Sequence, residues 1–279
     1  MKQINSVLSI LSRGFTTILL ISTPALADNT LFFDDFNGPT LNPNWQASLP
    51  NANIPFTDAG PISATYLGAP SYGFQTLGGS SVLRMTDTMN NQQRVGWSSS
   101  AIYNPSAFTY DVRFNTLVQS AATSIDDFIE IWLLDPTNPN RYDMVTLFGN
   151  KYATHPTFSF GSSIDGVFGG QEYGYQNNTW YHLVIQDLPG QNIRLSLDDD
   201  LGNELIGQTL AHTEAAYGSG FEIALSQGMG LPLSPYPSDV AVDYAKLSVV
   251  PEPGSMAIAC TGLILLAAAR KRGLGKSAN

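Results

Sequence analysis

The stretch Phe108-Thr109-Tyr110-Asp111-Val112-Arg113-Phe114-Asn115 decides how this chain folds. Its apolar residues stand at every second position, with polar residues between them. A period of two belongs to a strand with one face buried and one face wet. The same alternation recurs on either side. Tyr181, Leu183 and Ile185 alternate with His182, Val184 and Gln186, and Ile193, Leu195 and Leu197 with Arg194, Ser196 and Asp198. Phe221, Ile223 and Leu225 alternate with Glu222, Ala224 and Ser226. The run Phe128 to Leu134 is more continuously apolar and reads as a central strand. Turn clusters separate the runs: Asn42-Pro43-Asn44, Asp135-Pro136-Thr137-Asn138-Pro139-Asn140, Gly169-Gly170 and Leu201-Gly202-Asn203. Leu210 to Tyr217 is the one helical candidate, and it is short. Many short strands between turns predict an all-β sandwich or barrel, and the absence of a repeat or long linker predicts one domain.

Both ends differ from this pattern. Lys2 and Arg13 flank a polar start, Gly14 to Ile21 is mostly apolar, and Ala25-Leu26-Ala27 is a small-x-small signal. These features predict a signal peptide over 1–27, cut after Ala27. At the other end Met256 to Ala269 is an apolar run of 14 residues, followed by Arg270-Lys271-Arg272. As a helix it would reach roughly 21 Å, short of a hydrocarbon core about 30 Å thick. It is a marginal, transient anchor, with the basic cluster on the cytoplasmic side and the preceding domain outside.

The remaining segment, 28–249, has 222 residues, enough for one core. The single cysteine, Cys260, stands in the tail, so this segment has no disulfide to lean on. It holds seven basic and 22 acidic residues, a net of −15 against −10 for the whole chain. Such a surface repels phosphates, which excludes nucleic acid as a partner, and it disfavours anionic membrane.

Val250-Pro251-Glu252-Pro253-Gly254, then the apolar run, then the basic stop, resembles the PEP-CTERM sorting signal of exopolysaccharide-producing Gram-negative bacteria. The resemblance implies recognition by an exosortase, a membrane protease-transpeptidase, with Pro251, Glu252 and Pro253 as the processing motif within 250–279. The two prolines also deny helix and leave an extended grip for a protease. A second resemblance covers the domain. Phe33-Asp34-Asp35-Phe36-Asn37-Gly38 with Leu41 and Trp45, then Asn178 to Ile185, Ile193 to Asp198 and Val242 to Leu247, look like successive strands of concanavalin A-like jelly rolls. That group includes laminin-G-like domains and glycoside hydrolase family 16. The fold it implies is a sandwich of two antiparallel sheets.

Three kinds of chemistry follow from that likeness. Family 16 hydrolases place acids along one strand as Glu-x-Asp-x-x-Glu. The corresponding region, Asp126 to Trp132, departs from it, with Ile125 at the first position. Asp126 and Glu130 share a face, but four strand residues separate them by roughly 13 Å. Glycosidases need carboxyls about 5.5 Å or 6.5–9.5 Å apart, so the expectation is no enzyme. His155, His182 and His212 are scattered, and His182 reads as a structural histidine. For calcium, the resemblance implies Asp35, a carbonyl at Gly79, and Asp243, on adjacent first and last strands; hard oxygen donors suit the ion. The alternative is that Asp243 pairs with an Arg or Lys. Asp198-Asp199-Asp200 reads as a hairpin turn. For sugar, Trp97, Tyr103, Trp132, Tyr142, Tyr152, Tyr173 and Tyr175 supply rings, and Trp132 with Glu130 could form a shallow glycan groove. The expectation is an exported matrix protein with a non-catalytic, carbohydrate-binding sandwich. The alternatives are a divergent hydrolase and a purely structural or adhesive protein.

Overall fold

The computed structural model describes residues 29–46, 55–56, 60–61, 72–87, 94–118, 129–138, 141–148, 157–176, 178–188, 192–211, 220–228 and 238–250. The leader with Ala27, and also Asp126, Tyr152, His155, His212, Pro251, Glu252, Pro253 and the apolar tail, lie outside the described residues. In chain order the strands open with β1 (Thr30–Asp34), β2 (Trp45–Gln46), β3 (Pro55–Phe56), β4 (Gly60–Pro61), β5 (Tyr72–Leu77) and β6 (Ser80–Asp87). There follow β7 (Arg94–Ser99), β8 (Phe108–Val118), β9 (Ile129–Leu134), β10 (Tyr142–Phe148), β11 (Thr157–Ser162) and β12 (Val167–Glu172). The last are β13 (Trp180–Leu188), β14 (Asn192–Asp199), β15 (Glu204–Ala211), β16 (Glu222–Gly228) and β17 (Ser238–Val249). Among the described residues there is no helix.

Two antiparallel sheets stack. One runs β15-β14-β13-β8-β17-β6-β5, with β1 also paired to β17; the other runs β12-β11-β10-β9-β16-β7-β2. The alternation in β8 is realised: Phe108, Tyr110, Val112 and Phe114 are buried, whereas Thr109, Asp111 and Arg113 are only half-buried. The inward rows of both sheets meet in one core that includes Leu83, Val112, Leu183, Leu195, Ile131, Leu147, Ile223 and Leu225. Each such aliphatic side chain contributes roughly 1.5–3 kcal/mol when fully buried. Tyr110 ties the layers together, its hydroxyl donating to the Ala224 carbonyl at 3.1 Å across the sandwich.

Several details differ from the sequence reading, and Asn115 and Ser196, read as wet positions, are among the buried residues. Leu210, expected to start a helix, ends the strand β15 with its side chain in the core. Ala224 and Ser226, read as a wet face, are buried, because the middle of the seven-stranded sheet is covered on both sides. β9 is buried at all six positions, as a central strand should be.

β1 is anchored by Asp34. Its Oδ2 accepts from Trp45 Nε1 at 2.7 Å and from the Asn42 amide at 3.3 Å, while Oδ1 accepts from the Phe36 amide at 2.9 Å. That turn holds Phe36 at a left-handed φ of 51°, which costs an L-residue roughly 1–2 kcal/mol and sends its ring into the core. Trp45 in turn packs edge-on against Phe32 with ring centroids 4.7 Å apart. Asp34→Ala should therefore lower the unfolding free energy by about 2–4 kcal/mol, since it orphans buried donors. Asp35→Ala should cost only a small fraction of that. Urea denaturation of both variants checks the contrast, and equal losses would show that Asp34 is not the anchor.

Candidate functional site

Most of the residues that can act together lie on the outer face of the seven-stranded sheet, the face turned away from the main core. Register places Glu130 between Thr146 of β10 and Ser226 of β16, Trp132 between Met144 and Ala224, and Leu134 between Tyr142 and Glu222. Directly opposite residues on neighbouring strands share a face, so this row follows from the ladder. Trp132, Leu134, Tyr142, Met144 and Ala224 form a second, smaller core. Within it the Trp132 Nε1–H donates to Ser226 Oγ at 3.2 Å, and the Ser226 hydroxyl donates to Glu130 Oε2 at 2.7 Å. Trp132 and Glu130 thus share a face as expected, but both are fully buried. The expected open groove directly over them is corrected accordingly.

The accessible end of the row lies toward β12. Tyr142 packs edge-on against Trp132 at 5.2 Å, and Phe168 stands 6.4 Å beyond Tyr142. Phe168 is 54% exposed. It lies across Gly161, where a Cβ would meet its Cδ1 at 2.6 Å, so only glycine lets this ring fold down on the strand. The result is a row of three rings in which Trp132 and Tyr142 are buried and Phe168 is exposed. Burial raises the Tyr142 phenol pKa, and the neighbouring Glu130 carboxylate raises it further. Sequence reading missed Phe168, because nothing in Val167-Phe168-Gly169-Gly170 marks which face its ring takes.

The carboxylates on this face are poorly arranged for bond cleavage. Read from Ile125, the spacing Glu-x-Asp-x-x-Glu ends on Glu130, so its first position holds no acid. Asp135 is spent on a turn: Oδ1 accepts from the Thr137 amide at 2.8 Å, the Thr137 hydroxyl at 2.7 Å and the Asn138 amide at 3.1 Å. Its Oδ2 faces Arg141 Nε at 3.3 Å. Glu222 sits four strand positions from Ser226, about 13 Å along the sheet, with its pKa raised by burial against a partly offsetting bond from Ser98. Glycosidase carboxyl pairs stand about 5–9.5 Å apart.

The residues that the resemblance implies for calcium lie elsewhere. β1 and β17 are neighbours, as that likeness implies. Asp243 Oδ2, however, accepts from Arg113 Nη1 at 2.8 Å, and Asp35 closes on its own turn, accepting from the Asn37 amide at 3.2 Å. Gly79 lies in the exposed turn between β5 and β6 at φ 95°. A guanidinium on Asp243 occupies the place of a cation, so these residues do not fit a calcium cage. Among the described residues no group of three or more His, Cys, Asp or Glu side chains converges on a metal position.

Arg113 belongs to a network on the outer face of the eight-stranded sheet. Its Nε donates to Asp200 at 2.7 Å, and its guanidinium stacks on Trp180 at 4.3 Å. Beside it His182 Nδ1 meets Asp111 Oδ1 at 2.8 Å, and the Tyr244 hydroxyl donates to Asp111 Oδ2 at 2.8 Å. Asp199 closes the hairpin turn by accepting from the Leu201 amide at 2.9 Å and the Asn203 amide at 2.8 Å. Of the other rings, Trp97 and Tyr175 are core, and Tyr103 and Tyr173 pack against it.

For His182, burial lowers the pKa, but the bond and charge of Asp111 outweigh it and the net shift is upward. A group whose folded pKa is raised adds stability below its unfolded value of about 6.5 and loses it as pH climbs through the folded value. Stability should therefore fall across that window in the native protein and not in His182→Asn. Urea midpoints from pH 5.5 to 8.5 check this, and parallel curves for the two proteins would refute it.

Residues 249–272 match the PEP-CTERM protein-sorting motif. The motif implies processing by an exosortase and export to the cell envelope or surface. No curated protein sequence matches the chain. Among solved structures, a glycosyl hydrolase family 16 protein of Mycobacterium smegmatis has a TM-score of 0.52 at 16% identity, covering 78% of this chain and 99% of that one. A structure from endo-acting O-glycanases, which prominent members of the human gut microbiota express to initiate mucin breakdown, has a TM-score of 0.54 at 15% identity, covering 80% and 100%. The CBM2 module of the evolved Dit of Lactobacillus casei phage J-1 has a TM-score of 0.54 at 12% identity, covering 80% and 97%. Identities this low show the fold alone: a concanavalin A-like jelly roll.

Proposed function

We propose that this chain is an exported, exosortase-processed surface protein whose sandwich binds polysaccharide of the extracellular matrix without cleaving it. Before processing, the short apolar run over 256–269 would hold it transiently at the inner membrane. The observation that carries the binding reading is the exposed Phe168 ring, backed by the buried rings of Tyr142 and Trp132 on the outer face of the seven-stranded sheet. Sugars stack on aromatic faces, and neighbouring hydroxyls and backbone groups take their hydrogen bonds. Ser159 and Gly170 face each other on the strands flanking this ring. The Trp132–Ser226–Glu130 relay then serves as a rigid floor that fixes the row.

The non-catalytic reading rests on chemistry. The other acid on the face of Glu130, Glu222, stands about 13 Å away along the sheet, and Asp135 is bonded into a turn. A divergent hydrolase remains the second reading because Glu130 keeps a carboxylate at the last position of the hydrolase spacing.

Binding of soluble β-glucans and of exopolysaccharide fragments to residues 28–250, followed by calorimetry or a glycan array, tests the proposal. Phe168→Ala should weaken binding at least about tenfold, within the range of one lost aromatic contact, while the thermal midpoint stays close to native. A chelator should leave binding unchanged, since Arg113 holds Asp243. Unaltered binding in Phe168→Ala would refute the assigned surface, and release of reducing ends that Glu130→Gln abolishes would favour the hydrolase.

A further inference from the structure

The sorting motif begins inside the sandwich. Val249 and Val250 are its first residues by the 249–272 match, and both are hydrogen-bonded to the domain. The Val249 amide donates to the Asn29 carbonyl at 3.0 Å, and the Val250 amide donates to the Ala107 carbonyl at 3.1 Å. Both residues are partly buried. On one side β17 is paired to β8 out to Val249 opposite Phe108; on the other it is paired to β1 out to Ser248 opposite Thr30. Pro251 is the next residue, so no linker separates the last sheet contact from the Pro-Glu-Pro segment. Only 251–255 stand between Val250 and the apolar run at Met256, a reach of roughly 20 Å when fully extended.

A protease that handles a peptide in extended form pairs with its backbone amides and carbonyls, as an added strand does. On the domain side of this motif the amides of Val249 and Val250 are already taken. The order of synthesis sharpens the point. β17 is the last strand exported, and it pairs with β1, β6 and β8, so the eight-stranded sheet closes just as the tail arrives.

We propose that the folded sandwich restrains its own processing: the end of β17 withholds the domain side of the motif until residues 248–250 fray from β1 and β8. This rests on the exosortase reading of the tail. The chemical step is acyl transfer at one peptide bond, in which the domain-side carbonyl passes to water or an amine and the tail leaves with a new amino group. Fraying sets how often that bond is offered.

Pulse-chase of the full chain in an exosortase-bearing host, read as the mass shift on tail removal, tests this. A ten-residue Gly-Ser insert between Val250 and Pro251 should speed conversion at least about tenfold, equal to roughly 1.4 kcal/mol of opening. The same insert at the exposed Leu201–Gly202 turn should leave the rate native. Phe32→Ala, which loosens β1 by removing the ring packed on Trp45, should also speed conversion and keeps the test open if the insert misfolds. Equal conversion of the native and insert chains overturns the proposal while leaving the sorting reading intact. Absence of conversion in every chain overturns both.

Discussion

The closing strand β17 holds this molecule together. Its twelve residues pair along one edge with β8 and along the other with β6 and then β1. Two bulges, one of them between Val242 and Tyr244, let a single strand follow three partners across a twisted sheet. The opening and closing strands of the chain are thereby joined side by side, which does the work of a covalent link in a segment without cysteine. Asp34 completes the join by collecting the Trp45 indole and two backbone amides. Pairings this far apart in sequence make closure slow, because loop entropy is lost before any contact repays it.

The two outer faces of the sandwich have diverged in chemistry. On the eight-stranded sheet, Asp111, Arg113, His182, Asp200, Asp243 and Tyr244 form a charged network spread over β8, β13 and β17 and the turn after β14. In that network Arg113 and His182 are each matched to a carboxylate. On the seven-stranded sheet the outer face is apolar at its centre and carries Glu130, bonded to Ser226, with Glu222 four strand positions away. That bond fixes one oxygen of the Glu130 carboxylate. The two faces therefore differ in polarity. Similar folds carry very different chemistries, and it is these side chains, not the sandwich, that distinguish them.

Legibility of the site from the sequence varied with distance. Glu130 and Trp132 were identified as face-sharing because a strand puts positions two apart on one side. Their burial was not legible, since Ala224, Ser226, Met144 and Thr146 come from other strands and give no periodic signal of their own. The ion pair at Asp243 was hidden for a related reason: the guanidinium that bonds its oxygen belongs to Arg113, 130 positions away.

The sequence alone determined the layer type, the inward rows of β8, β13, β14 and β16, the central place of β9, the turn at Asp135 and the sorting tail. Each depends on residues a few positions apart, where backbone geometry fixes what neighbours do. Only the tertiary structure decided that Asp34 rather than Asp35 anchors the opening strand, that Phe168 ends the ring row, and that the motif's first residues are locked into the sheet. These depend on which strands become neighbours, and that is set by the packing of the whole core rather than by any local stretch of chain.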